Sequence, residues 1–206
     1  MPAMLKRLQH QRAIKRLQKA FTQADPALLL KCLTAGISPN LHLPDPNGTP
    51  QPLLHLAISA GLCEHARLLL EAGAECSDPD LLKRAVQHQT NPLRLLTLLL
   101  QAGADPNIEH GAILFACFEQ PDAATIQLLL SRLMEYGGEI NCYDAQRRSP
   151  LELALSDEQQ ELSCLLISAG AHLPPHLDSL PCSEALKTLA RRNARDLEVR
   201  RQLQGL

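Results

Sequence analysis

Five glycines set the frame for everything else in the chain. Gly36, Gly73, Gly103, Gly137 and Gly170 each close a leucine-rich run, at intervals of 37, 30, 34 and 33 residues. Glycine takes the left-handed conformation that ends a helix, so each one is a stop signal. The fullest run, Pro52 to Ala74, reads as two short helices. Leu53, Leu54, Leu56 and Ala57 form one apolar face, Gly61 interrupts it, and Ala66, Leu68, Leu69 and Leu70 form a second face before Gly73. Helices of that length are not stable alone and cannot bury their own stripes. A chain with a stop every ~33 residues must bury each pair against the next, which marks a helical repeat protein.

The text around the stops recurs as well. It reads AGISPN at 35–40, AGAEC at 72–76, AGADPN at 102–107, GGEIN at 137–141 and AGAH at 169–172. First-helix text recurs as PLLHLA at 52–57 and SPLELA at 149–154. Together these fragments resemble the ankyrin repeat, whose signature is a turn, a TPLH-like segment and a second Leu-rich helix ending in GAD-x-N. The resemblance implies an all-α fold: an ankyrin-repeat solenoid of about five helix-turn-helix repeats, with short β-hairpin-like turns and basic capping helices at both ends. It divides a single domain, 1–206, into an N-terminal cap repeat at 1–40, repeats at 47–77, 78–107, 109–141 and 144–174, and a C-terminal capping helix at 183–204. In the family, the His of the TPLH text bonds to backbone and tightens the turn, so the resemblance gives His55 a structural role. Glu152 stands in the same place of the last repeat, and Arg147 stands where the family has Gly, which puts the usual turn there in question.

Charge is placed unevenly over the 206 residues. Residues 1–20 hold six bases and no acid, residues 183–206 carry a net charge of +3, and the remainder carries −11. An acidic body is thus flanked by two basic helices. Aromatic residues are only 2% of the chain and Trp is absent. That composition suits thin Leu/Ala layers and argues against a stacking site for sugars or nucleotides. The seven cysteines, Cys32, Cys63, Cys76, Cys117, Cys142, Cys164 and Cys182, are odd in number and never spaced as C-x-x-C. They read as small buried hydrophobes in a reducing, cytoplasmic setting and not as a disulfide frame or zinc site. No secretory signal is visible at the N-terminus, although delivery into another cell as an effector stays open. No run approaches the ~18–20 apolar residues of a membrane span.

Local signals fill in the order. Residues 3–23 read as a helix with Leu5, Leu8, Ala13, Ile14, Leu17, Ala20 and Phe21 as its apolar set; Asp25-Pro26 caps and starts the next. Residues 41–51, with three Pro and one Gly, read as an extended hairpin-like finger. In the fourth repeat Ala112–Cys117 form the first helix, and the second runs to Met134 and Tyr136, about five residues longer than the family's. Asp157, Glu158 and Glu161 read as the first turn of a helix, where carboxylates suit the dipole. Ser183 caps a last helix whose Leu186, Leu189, Ala190, Ala194, Leu197 and Leu203 close the core.

Nothing in the sequence spells out catalysis. No phosphate loop, G-x-S-x-G or H-E-x-x-H motif occurs, and His172 and His176 are separated by Pro174-Pro175, which keeps them off a shared helical face. The expectation is therefore a non-enzyme with no cofactor and no metal. Ankyrin arrays, the resemblance implies, bind partners through turn tips and the exposed side of the first helices. Carried over residue by residue, that gives Thr22, Gln23, Ser59, Ala60, Gln87, His88, Phe118, Glu119, Ser156 and Asp157, with turn tips at Thr49, Gln51, Gln146 and Arg148. Phe118 is the leading anchor, an aromatic at a usually polar position worth ~2 kcal/mol on truncation if it is exposed; a slip in register would make it core instead. The leading reading is a monomeric adaptor, regulator or inhibitor- or immunity-type protein that binds another protein. The alternative is an anionic surface, nucleic acid or acidic lipid, met by the basic terminal helices; no aromatic is interleaved with those bases, which weakens the nucleic-acid version.

Overall fold

The computed structural model describes residues 2–204, with side chains from residue 11 onward; Leu5, Leu8, Lys6 and Arg7 of the expected first helix lie outside the described side chains. Among the described residues the chain forms eleven α-helices and one two-stranded sheet, so the expected all-α class holds. It divides into two units, Met1–Asp105 and Pro106–Leu206.

The first unit contains α1 (Pro2–Thr22), α2 (Pro26–Thr34), β1 (His42–Pro44), β2 (Pro50–Pro52), α3 (Leu53–Ser59), α4 (Cys63–Glu71), α5 (Pro79–Gln87) and α6 (Pro92–Gln101). Proline opens α2, α5 and α6 at a position whose N–H has no helical partner anyway. The Asp25 carboxylate accepts from Leu28 N–H at 3.0 Å, as a helix cap should. Helices pack as pairs, α1 on α2, α3 on α4 and α5 on α6, while α2, α4 and α6 touch in succession and α3 touches α5. Leucines such as Leu29, Leu69, Leu95 and Leu99 disappear entirely between them, each contributing about 1.5–3 kcal/mol by burial. The expected finger at 41–51 is a true antiparallel hairpin, with Leu43 opposite Gln51. Its prolines remove ladder donors. What holds it is a turn in which the Asp45 carboxylate accepts from Asn47 and Thr49 N–H at 2.9 and 2.8 Å, together with the buried Leu43.

The second unit contains α7 (Ile108–Cys117), α8 (Ala123–Glu135), α9 (Pro150–Ser156), α10 (Gln160–Ser168), a 3-10 turn (Leu177–Ser179) and α11 (Glu184–Gln204). Here α7 packs on α8, α9 on α10, α8 on α10, and α10 on α11. Glu109, His110 and Gly111 at the start of α7 have φ of 52°, 58° and 80°, so regular helix begins at Ala112 as the sequence suggests. With 13 residues, α8 exceeds the nine or ten of α4, α6 and α10, an excess of three or four rather than five.

Loops in each unit are tied by a repeated bond. The Asn40 side-chain oxygen accepts from Glu75 N–H at 2.9 Å. Asn107 accepts from Glu139 N–H at 2.7 Å and donates to Gly137 O at 2.9 Å. Asn141 accepts from His172 N–H at 2.9 Å and donates to Gly170 O at 3.2 Å. Each asparagine lies four residues past one glycine stop and reaches the residue two past the next.

Three expectations are corrected. Arg147 does not change its turn: Asp144 accepts from Gln146 and Arg148 N–H at 2.9 and 2.8 Å, the bonds Asp45 makes around Gly48, and Arg147 adopts φ 61° to permit it. A side chain in that region costs about 1–2 kcal/mol. Of the acids at 157–161, only Glu161 sits in the first turn of α10; Asp157 ends α9, and Glu158, at φ 54°, accepts from the Ser183 N–H and hydroxyl. Leu203 is 82% exposed and outside the core, whereas Lys187 is 4% exposed, its ammonium donating to Asp178 O at 2.8 Å and to Glu184 at 2.9 Å. A hydrophobic count on α11 misses both, because packing against α10 selects residues near its N-terminal end.

Gly61 joins α3 to α4 at φ 67°, and a Cβ there would fall 2.5 Å from the His88 ring. Gly61→Ala is expected to cost about 2 kcal/mol in urea unfolding. Repeated in a His88→Ala background, the cost should fall by about 1 kcal/mol, since only the backbone strain remains.

Candidate functional site

Two concave sites stand out, one in each unit. In the first unit a groove of about 680 Å³ runs beside the hairpin. The end of α1 supplies Phe21 and Thr22, the hairpin supplies Leu43, Pro44, Pro46 and Gln51, and α3 supplies Leu56 and Ser59. Proline-rich strands are what keep its wall apolar: they fix φ and leave few backbone donors facing the space. Arg84 edges the groove, donating to Ser59 Oγ at 3.1 Å while paired with Asp80. Gln51 and Ser59, both expected contact residues, therefore meet in one groove, with Ala60 beside them.

The floor of this groove includes His55. The expected bond from His55 to backbone is absent: its Nε2 lies 3.2 Å from the Asp78 carboxylate and its Nδ1 has no partner. Pro52, three residues before it, has no N–H to offer. Glu152 in the second unit keeps the backbone bond, accepting from Ser149 N–H at 3.4 Å, and its other oxygen meets His176 Nε2 at 2.9 Å. The two repeats thus make the same reach, 23 and 24 residues along the chain, with acid and imidazole exchanged.

The second cavity, about 470 Å³, lies among Tyr143, Arg147, Ser149, Glu152 and residues 172–176. Tyr143 is 61% exposed. Sequence reasoning passed over it because it precedes the recognisable Asp144 turn and belongs to no motif; the surviving signal is its rarity, as one of two tyrosines in the chain.

The remaining expected contact residues scatter. Thr49 is exposed at the hairpin tip, its N–H held by Asp45. Gln87 is exposed at the end of α5. His88 is turned to a structural task, its Nδ1 accepting from Thr90 and Asn91 N–H at 3.3 Å. Phe118 is half-buried at the end of α7, with Glu119 exposed beside it. Gln146 and Arg148 sit on the Asp144 turn, where Arg148 donates to Asp144 at 2.9 Å. Ser156 is half-buried and Asp157 exposed at the end of α9.

Among the described residues all seven cysteines are free. Burial pushes the Cys32, Cys63, Cys76, Cys142 and Cys182 thiols up, and takes Cys117 up to about 12. Thiolates are the reactive form, so burial disfavours the reactive state at these six positions. Among the described residues no helix is long and apolar enough to cross a membrane. No protein-family model matches the chain, and no curated protein matches its sequence.

Two imidazoles of the first unit are held neutral. His55 lies below its ordinary value of 6.5, chiefly through burial, which outweighs the half-exposed Asp78 carboxylate. His65, bonded to Ala20 O at 3.2 Å and set edge-on to Phe21, is lowered for the same first reason. Folding therefore favours the deprotonated rings, and their contribution is complete above pH 6.5 and lost as pH falls through the depressed folded values. Urea unfolding is expected to be flat between about pH 7 and 8 and to weaken below about 6.5, by up to about 1.4 kcal/mol per pH unit for each ring. The same titration with His65→Asn should show a shallower acid slope.

Proposed function

We propose that this chain is a non-enzymatic, ankyrin-type repeat protein that binds another protein through the hairpin groove of residues 1–105. The groove carries the reading: an apolar wall from Leu43, Pro44, Leu56 and Phe21, rimmed by Gln51, Ser59 and Arg84, has the apolar centre and polar edge of a protein-recognition surface. Repeated glycine stops, the repeated asparagine bond between loops and the duplicated Asp turns support the family assignment. Seven free thiols suit a reducing, cytoplasmic compartment. An adaptor, a regulator and an inhibitor of one enzyme or toxin all fit this surface.

A second reading has one observation in its favour. Arg12, Lys15, Arg16 and Lys19 are exposed along one face of α1 without an ion-pair partner among the described residues. Like charges at that spacing repel by a few tenths of a kcal/mol each, and an acidic lipid or nucleic-acid surface would relieve them. The matching stripe on α11 is partly neutralised, since Lys187 meets Glu184 and Arg191 meets Asp178.

Ala60→Arg separates the readings. Ala60 is exposed at the end of α3, where a cation suits the helix dipole, so unfolding free energy should change by no more than about 0.5 kcal/mol. In affinity capture from the source organism's lysate, the partner enriched by wild-type chain should drop about tenfold or more with this variant. Undiminished capture by Ala60→Arg, with loss in Lys15→Gln/Lys19→Gln and at high salt, would move the function to α1.

A further inference from the structure

Arg147 occupies a left-handed backbone conformation at the place where the matching hairpin turn has Gly48. The turns Asp45–Thr49 and Asp144–Arg148 share the same four bonds. In each, the aspartate carboxylate accepts from the N–H two and four residues on, its backbone N–H donates four residues on, and its carbonyl accepts from the residue three on. That last donor is Gly48 at φ 84° in one turn and Arg147 at φ 61° in the other. The strained side chain is exposed and has no ion-pair partner among the described residues, whereas its neighbour Arg148 is tied to Asp144 at 2.8 and 2.9 Å.

Arg147 lines the 470 Å³ cavity. Tyr143 and Leu173 supply apolar cover, and His172 is exposed, its ring without a partner among the described residues. The one acid of the lining, Glu152, is already occupied on both oxygens by Ser149 N–H and His176. The groups left for a ligand can each donate: a guanidinium, which is donor only, a phenol and an imidazole. One permanent cation matches a single carboxylate better than a doubly charged phosphate, and the apolar walls suit the methylenes of an amino-acid side chain. We propose that this cavity binds an aspartate or glutamate side chain in an extended acidic segment of a protein partner. The Arg147 fork holds the carboxylate, in the bidentate geometry that arginine favours. This site is separate from the hairpin groove and does not depend on it.

The test uses the full chain and two fluorescein-labelled peptides, one with four Glu between Gly-Ser flanks and one with four Gln, followed by fluorescence anisotropy. Wild-type chain should bind the Glu peptide at least about tenfold more tightly than the Gln peptide. Arg147→Gly should weaken it by about tenfold or more while raising the thermal midpoint, because glycine relieves the turn. Loss of binding thus cannot come from unfolding. Lys15→Gln/Lys19→Gln should bind as wild type does. The proposal is overturned by equal affinity for both peptides, by no binding to about 1 mM, by undiminished binding in Arg147→Gly, by loss in the α1 variant, or by displacement with inorganic phosphate well below the acetate needed at equal ionic strength. None of these results touches the hairpin-groove reading, which Ala60→Arg tests.

Discussion

The bond from an asparagine in one loop to the backbone of the next is the interaction on which each unit depends. Pairs of short helices bury their stripes only when a neighbour is present. Leucine burial is non-directional and would tolerate sliding. Asn40, Asn107 and Asn141 fix the register, because each must find a particular N–H, and Asn107 and Asn141 a carbonyl as well. Each bond adds about 1 kcal/mol net and satisfies loop groups that would otherwise need water. The glycine stops serve the same end. Gly73, Gly137 and Gly170 turn the chain at φ of 84–101° just before the receiving residue and so present its N–H to the preceding asparagine.

A second device lies at the first helices. His55 and Glu152 occupy equivalent places, and each reaches a residue of opposite chemical kind further along, Asp78 and His176. The two places carry the pair with its members reversed, imidazole to carboxylate from α3 and carboxylate to imidazole from α9.

Much of this was legible in the sequence. Asp25-Pro26 announced a helix start, Ser183 a cap, and the glycines the ends, because caps and left-handed stops are local chemistry. The hairpin at 41–51 was legible for the same reason. What escaped depended on distant partners. Arg147 adopts positive φ inside a turn closed by its own N–H and that of Arg148 on Asp144, and Glu158 adopts it where its carboxylate meets Ser183 from 25 residues away, which no local propensity reports. Lys187 is buried because the Asp178 carbonyl and Glu184 receive its ammonium. Of the candidate contacts, Gln51 and Ser59 fell together because both flank the hairpin, while His88 was drawn inward by the loop it caps and Tyr143 carried no motif.

The central claim, that loop asparagines hold neighbouring helix pairs in register, is tested most directly by amide hydrogen exchange resolved to single residues. The Glu75, Glu139 and His172 amides lie in loops outside every helix, yet should exchange about tenfold or more below open-chain rates. Asn107→Ala should release Glu139 and leave His172 protected. Open-chain exchange at all three amides in the wild-type chain would contradict the account.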